Sequence, residues 1–570
     1  MERTSPQINW PIVQEATERR RQSLTGHSAK QNRRILLLSP PYCRPAKYLQ
    51  ATFPLGLGYI GAVLEQNNFD VAIYNAEIDP HLNSNDSYVY TFLNNYKNMS
   101  AFWENPEHAV WKEIELVIRE FDPAVIGFSV MTNKSDICTR IAQIAKRINP
   151  KIVTVAGGYH PTLSPADTHG FDHVVRGEGE LSFLKLMQVL LDAKGSLSEV
   201  SRLGNNPEFP NQVVDIEKLP HPAKHLLLGE ADYPRGGLSI VISSRGCPYS
   251  CTYCSSPAFF GRRVYYRQFS DVIDEIIDLQ TRYRLKEFYF ADDTFTIKKP
   301  RVQEFCRELI SRNMRVNWSC ITRLDLIDEP TLDLMKQSGC NNIWLGIESG
   351  TERILEVVGK DLNMAKIRNK VGLLRKMEMS WSGFFMIGLP TETVDEMYQT
   401  YEFMKELDPL YAEVNIFNPL PGTDLYNLAE KQGKLDRDEI WCLRSQASLK
   451  NLKINDPTGR VEEVVLQIAA KFDEHNAFKR EQKAASSPVS IYNRASAFER
   501  DGRYAEATDL FNKVLGLTWD HELQSGAHYH LGRIAKSTGN SAVAAEHFTK
   551  TLALNPNHRA ANSALGTHGS

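Results

Sequence analysis

From Arg33 to about Gly422, short apolar runs alternate with amphipathic stretches, and this alternation constrains the fold more than any other feature. In a first array Ile35–Leu38, Phe69–Tyr74, Ala124–Val130 and Ile152–Ala156 read as strands, with Leu57–Gln66 and Asp136–Ile148 as helices between them. Strand and helix in strict succession imply a parallel, doubly wound, Rossmann-like α/β sheet over 33–205, because parallel neighbours need a crossover. A Pro-, Asn- and His-rich stretch at 206–236 reads as a linker. A second array covers 237–425, with candidate strands Leu238–Ser244, Glu287–Ala291, Asn317–Thr322, Asn342–Ile347, Ser382–Ile387 and Ala412–Phe417. Asp271–Tyr283 and Arg301–Arg312 are helices between them, so the array predicts a partial (β/α)6 barrel of the TIM type. Both architectures hold ligands beyond the carboxyl ends of their strands.

The flanks are different. Residues 1–32 are polar and read as a flexible tail. The rest is an all-α C-terminal extension, charged over 426–485 and repetitive over 486–570. Gly502, Ala507, Phe511 and Leu515 recur at an offset of 37 as Gly539, Ala544, Phe548 and Leu552. This pattern resembles tetratricopeptide helical hairpins, whose period is about 34.

Composition then removes several function classes. At 42% hydrophobic and 24% charged residues the chain is ordinary globular protein, not a disordered or fibrous one. Its longest apolar runs, such as Phe384–Leu389, fall far short of the roughly 18–20 residues of a membrane span. No apolar segment of the export type follows the basic N-terminal residues, so the expectation is a cytoplasmic protein. Lys and Arg total 66 against 69 Asp and Glu, and without a basic excess nucleic acid is not an expected partner.

Nine cysteines are more informative, because three stand in one short window. Cys247, Cys251 and Cys254 form a C-x3-C-x2-C triplet directly after the first strand of the second array. In a reducing compartment such a cluster points to metal or redox chemistry, not to disulfides. Thiolates are the usual ligands of iron–sulfur clusters, and three of them leave one iron of a four-iron cluster open to a small molecule. Structural zinc is the competing metal, but it asks for four closed ligands, and Cys306 and Cys320 lie far down the chain. The scattered Cys306, Cys320, Cys340 and Cys442 read as buried packing residues.

With its barrel context the triplet resembles the signature of the radical S-adenosylmethionine superfamily. The resemblance implies that Cys247, Cys251 and Cys254 ligate a [4Fe–4S] cluster whose fourth iron is chelated by S-adenosyl-L-methionine. Tyr253 matches an aromatic the superfamily places near the adenine. Asp292 and Asp293 close the second strand, where the family binds the methionine amino group, and Arg323 ends the third. Gly346, Glu348 and Ser349 fall in a segment that looks like the family's G-x-E-x-G, and Gly388 closes the fifth strand near the adenine. For Asp292, Ser349 and Thr391, helix capping is the alternative role.

A doubly wound domain ahead of such a barrel resembles the cobalamin-binding domain of the B12-dependent members of that superfamily. The likeness rests on Pro54–Ile60, on Gly157–Thr162 and on Val175–Glu180. Ser129-Val130-Met131 stands where the family has Ser-x-Leu, and Gly157 and Gly158 stand where it has a Gly-Gly pair around the nucleotide tail. Glycine suits that place because backbone without a Cβ approaches a bulky ligand closely. No D-x-H-x-x-G segment follows the first strand, so Tyr42, Cys43 and Arg44 are expected near the lower face of the corrin. His160, after the glycine pair, reads as a local packing residue. Only Cys43 and Cys138 precede the barrel, which disfavours the methylthiotransferase relatives and their second cluster.

The activity implied by the resemblance is methylation of an unactivated carbon in a small-molecule or peptide substrate. A 5′-deoxyadenosyl radical would remove a hydrogen and methylcobalamin would supply the methyl group. Electrons would come from a donor such as flavodoxin or ferredoxin. Cyclisation, rearrangement or oxidation with the same cofactors is the alternative. An adaptor acting on a protein partner through the C-terminal repeats is the alternative of another class.

Overall fold

The computed structural model describes residues 33–42, 52–78, 105–200, 214–230, 233–433, 461–485, 487–500, 502–518, 520–556 and 558–565. They belong to two compact units, Met1–Asp473 and Glu474–Ser570.

In the first unit β1 (Arg34–Ser39), β2 (Asp70–Asn75), β3 (Val125–Ser129), β4 (Val153–Gly157) and β5 (His173–Val174) form an all-parallel sheet in the order 2-1-3-4-5. Helices α1 (Leu55–Gln66), α2 (Ala109–Phe121) and α3 (Ser135–Ile148) make the first three crossovers, and α4 (Gly179–Asp192) follows β5. Side chains alternate across a strand, so Ile35 and Leu37 pack with α1 and α4 while Leu36 and Leu38 pack with α2 and α3. The strand order reverses between β1 and β3, and the crevice beyond their carboxyl ends is the place where such sheets bind ligands.

The second array begins with β6 (Ile240–Val241), followed by β7 (Ser244–Arg245) and β8 (Tyr265–Tyr266), which pair with each other as an antiparallel hairpin. Strands β9 (Glu287–Phe290), β10 (Asn317–Thr322), β11 (Cys340–Glu348), β12 (Trp381–Ile387) and β13 (Tyr411–Ile416) continue from β6 as six parallel strands in chain order. Helices α5 (Phe269–Tyr283), α6 (Lys299–Ser311), α7 (Glu329–Gln337), α8 (Met364–Lys376) and α9 (Val394–Leu407) connect them. β6 and β13 are the two edges, as a partial barrel requires. The run Leu238–Ser244 is not one strand. It breaks after Val241 because the Ser243 and Ser244 groups turn toward the carboxylate of Asp292.

One apolar core joins both arrays. It contains Ile35, Leu37 and Val71 of the first sheet together with Val241, Phe290, Trp318, Leu345 and Phe385 of the barrel. Where the expected linker is described it is packed: Ala223, Leu226, Leu227 and Tyr233 belong to this core, and Leu228 N–H donates to Ile73 O at 2.8 Å. Proline there sets the path of a buried joint instead of loosening it. Helix α10 (Val461–Ala485) adds Val465, Ile468, Ala469 and Phe472, the last 5.5 Å from the Phe385 ring. Residues 434–460 of the expected extension, like Cys442, lie outside the described residues.

In the second unit α11 (Pro488–Arg500) and α12 (Tyr504–Leu517) form one hairpin, and α13 (His521–Ser537) and α14 (Ser541–Leu554) the next. The repeated Ala507 and Phe511, and Ala544 and Phe548, are buried at equivalent places, and Gly502 and Gly539 occupy the two turns. Among the described residues no helix is long and apolar enough to cross a membrane.

Trp318 anchors the barrel core. It is 1% exposed, lies 5.4–5.8 Å from the rings of Phe290, Phe295 and Phe305, and donates its indole N–H to Ser338 O at 3.1 Å. Trp318→Ala is expected to lower stability by about 3–5 kcal/mol, read from the urea midpoint of the full chain.

Candidate active site

The chain reaches Cys247 from a fixed point. At the end of β9 Asp292 accepts hydrogen bonds from Ser243 N (2.9 Å), Ser243 Oγ (2.8 Å) and the Ser244 hydroxyl, and Asp293 accepts from Gly246 N at 2.9 Å. Gly246 has φ +88°, and a Cβ there would fall 2.4 Å from Arg263 O, so glycine alone fits. Further on, Thr252 N–H and Oγ1 donate to Val358 O and Val357 O, and Thr252 O accepts from Leu425 N. Cys254 N–H donates to Cys251 O.

Held in this way, the half-buried free thiols of Cys247, Cys251 and Cys254 line one cavity of about 510 Å³. Burial pushes the Cys251 thiol up and the Cys254 thiol to about 11, while Lys360 and Arg323 draw Cys251 back down. Arg323 Nη1 lies 3.6 Å from Cys251 Sγ, and its guanidinium stacks 3.9 Å over the Tyr249 ring and donates to Lys360 O. Among the described residues no three His, Cys, Asp or Glu converge on one point as a single ion requires. Three soft sulfur donors spread along one wall fit a multi-iron cluster. Structural zinc needs four ligands about one ion, and the described residues offer no such set.

Across the cavity, Glu348 is buried with φ +71°, a conformation rare outside glycine and often found at functional sites. Its Oε1 accepts from Tyr253 Oη at 2.9 Å and Lys360 Nζ at 2.5 Å, and Lys360 also donates to Gly346 O at 2.9 Å. Phe384, Met386, Ile416 and Phe417 give the wall an apolar side, and Met131, Thr132 and Asn133 reach in from beyond β3.

A second cavity of about 320 Å³ lies at the carboxyl ends of β3 and β4. Ser129, Gly157, Gly158 and Gly177 line it. A Cβ at Gly157 would meet only ordinary contacts, the nearest Val175 O at 3.6 Å, while Gly158 has φ +105° and a Cβ there would fall 3.2 Å from Val130 O. In this glycine cradle a ligand can approach the backbone closely. Tyr159 and Asp293 border both cavities, and Tyr159 stacks on Phe259 at 4.3 Å.

The cavities thus gather Cys247, Cys251, Cys254, Tyr253, Asp293, Arg323, Gly346 and Glu348 in one, and Ser129, Gly157 and Gly158 in the other. Four expected residues line neither. Asp292 is 1% exposed and spends its carboxylate on bracing Ser243 and Ser244. Ser349 is fully buried, with its hydroxyl 3.2 Å from Thr400 Oγ1. Gly388 donates its N–H to Glu392 Oε2 at 2.6 Å and forms the turn after β12. Tyr42 is 1% exposed in the core on the α2 and α3 side, because the chain after Pro40-Pro41 turns to that face of the sheet. Cys43 and Arg44 lie outside the described residues. His160 is buried away from both cavities, as expected of a packing residue. Lys360, Tyr249 and Tyr159 were not foreseen. Lys360 follows a helix stop at Gly359 with no motif around it, and Tyr159 stood unweighted beside the glycine pair.

The profile of the radical SAM superfamily matches residues 241–404, that of the B12 binding domain residues 45–187, and that of a tetratricopeptide repeat residues 525–558. The chain is 32% identical over 411 residues to an uncharacterized methyltransferase of Pyrococcus horikoshii, covering 70% of this chain and 83% of that one. It belongs to the cobalamin-binding radical S-adenosylmethionine family. A cytidylyl-2-hydroxyethylphosphonate methyltransferase of Streptomyces wedmorensis is 27% identical over 516 residues, 81% of this chain and 92% of that one. The fold matches the radical S-adenosylmethionine methyltransferase TsrM of Kitasatospora setae, solved with cobalamin and a [4Fe–4S] cluster. The TM-score is 0.53 at 18% identity, over 70% of this chain and 78% of that one. The cofactors of the family are therefore a [4Fe–4S] cluster, S-adenosyl-L-methionine and cobalamin.

Two variants separate the cavities. Replacing Cys247, Cys251 and Cys254 together by Ala is expected to cut iron and sulfide uptake on anaerobic reconstitution to about a tenth or less with an unchanged circular dichroism spectrum. Gly157→Leu is expected to abolish co-elution of hydroxocobalamin with the protein while iron content stays at the wild-type level.

Proposed function

We propose that this chain transfers a methyl group to an unactivated carbon of a small-molecule or peptide substrate, with Cys247, Cys251 and Cys254 as cluster ligands. When bound, the cluster and S-adenosyl-L-methionine supply the hydrogen-abstracting radical and cobalamin supplies the methyl group. The observation that carries this reading is the adjacency of the two cavities, which share Tyr159 and Asp293 as lining residues and so put the thiols next to the glycine cradle.

Within that space each group has a task. Three thiols leave one coordination position to a small-molecule chelate. Arg323 offsets negative charge at Cys251. Glu348, oriented by Tyr253 and Lys360, accepts hydrogen bonds from the amino or hydroxyl groups of adenosylmethionine. Ser129, Gly157 and Gly158 admit the corrin's nucleotide tail. Phe384, Met386 and Phe417 exclude water and press the substrate against the reacting groups. A flavodoxin or ferredoxin in the cytoplasm would supply electrons, and the tetratricopeptide-type hairpins would receive a protein partner.

The test uses the full chain reconstituted anaerobically with iron, sulfide and hydroxocobalamin, then given S-adenosyl-L-methionine and dithionite. Methyl transfer requires both S-adenosylhomocysteine and 5′-deoxyadenosine among the products. 5′-Deoxyadenosine alone, from a chain that carries cobalamin, would instead indicate cyclising or oxidative chemistry.

A further inference from the structure

Between the glycine cradle and the cluster loop lies a buried ion network that the proposed chemistry does not use. Arg245 is the last residue of β7, two positions before Cys247. Its Nη1 meets Glu178 Oε1 at 2.8 Å and its Nη2 meets Glu180 Oε1 at 2.8 Å. The side chains of Arg245, Glu178 and Glu180 are 11%, 1% and 5% exposed. Both carboxylates stand on the Gly177–Glu180 turn that walls the second cavity, and Arg245 lines the same cavity. Glu178 Oε2 is also taken, by Val214 N at 3.0 Å. Two buried carboxylates on one guanidinium are costly to desolvate and persist only with close, directional pairing. A planar fork reaches two separate carboxylates, which an ammonium point charge does not do equally well.

The chain beyond Arg245 transmits what Arg245 is given. Gly246, the single residue between Arg245 and Cys247, is tied by its N–H to Asp293 Oδ2 at 2.9 Å. The cradle, the guanidinium and the first cysteine are thus linked by one short, hydrogen-bonded stretch of chain.

Resting on the reading of the two cavities given above, we propose that Arg245 is a positioning residue that couples occupancy of the corrin cavity to the hold of the loop on its cluster. A ligand in the cradle packs on the Gly177–Glu180 turn, stiffens the Glu178–Arg245–Glu180 bridge and so stiffens the approach to Cys247. The coupling is reciprocal: an ordered cysteine loop presents a better-formed cradle.

The experiment follows loss of iron from the reconstituted full chain to a chelator, with and without hydroxocobalamin at a concentration saturating for each variant. In the wild type, cobalamin slows iron loss about fivefold or more, and removing the cluster weakens cobalamin binding in turn. In Arg245→Lys and Glu180→Gln both factors fall to about twofold or less. Saturation in each variant separates lost coupling from altered affinity. Glu180→Gln keeps volume and a hydrogen-bond acceptor, and it decides the matter if Arg245→Lys does not fold. Equal slowing in the variants and the wild type, or none in a wild type that binds both groups, overturns the proposal. A wild type that takes up no cobalamin fails the underlying reading instead.

Discussion

The short contact between the end of β9 and the loop after β6 governs what the barrel can do. Asp292 is deeply buried, and three hydrogen bonds from Ser243 and Ser244 compensate it. Those bonds end the first strand after Val241 and turn the chain outward, so that the cysteine loop starts above the barrel mouth and not inside the sheet. Arg301 strengthens the turn by donating to Ser243 O and Arg267 O while stacking 3.7 Å over Phe269. A carboxylate one residue further on, Asp293, faces the cavities because successive side chains at a strand end point to opposite sides. One aspartate builds the loop and its neighbour faces the chemistry.

Two ligand cavities from two α/β arrays can serve one reaction only if their separation is fixed. The shared apolar core provides that, since Leu37 and Val71 of the first sheet belong to the same cluster as Trp318 and Phe385 of the barrel. Packed interiors deform little and shift between discrete arrangements. Ala223, Leu226, Leu227 and Tyr233 of the joint between the arrays belong to the core for the same reason. A loosely tethered pair of domains would need a closing motion for every turnover.

Much of this was legible in the residues. Asn317–Thr322 is a strand as read, and the other parallel strands except β5 match the reading within a few residues, because β-branched and aromatic runs bounded by turn residues have few other solutions. β5 is only two residues, His173–Val174, too short to give a pattern. The cysteine triplet is marked by its spacing, and Glu348, Tyr253 and the glycine pair by the family resemblance. What failed was direction. Asp292 and Asp293 carry the same strand-end signal, and local pattern does not say which faces the cavity. Ser349 and Gly388 sit at strand ends too, but a buried hydroxyl contact and a turn already occupy them. Tyr42 follows a Pro-Pro turn whose direction no local rule specifies. Lys360 lies only 12 residues after Glu348, but no local motif marks it, and it takes the short helix ending at Gly359 to turn it back to that carboxylate.

The overall charge of −3 says nothing about this site, yet the local balance explains its cations. Three thiols meant to become thiolates share the cavity with Glu348 and Asp293, and like charges at such range in a half-dry space repel strongly. Arg323 at Cys251 and Lys360 at Glu348 are the two groups that offset this repulsion. Neither is loose: Arg323 is tied to Asp325 and to Lys360 O, and Lys360 to Gly346 O. The two cations are therefore joined through the backbone of Lys360, which ties the charge beside Cys251 to the charge beside Glu348.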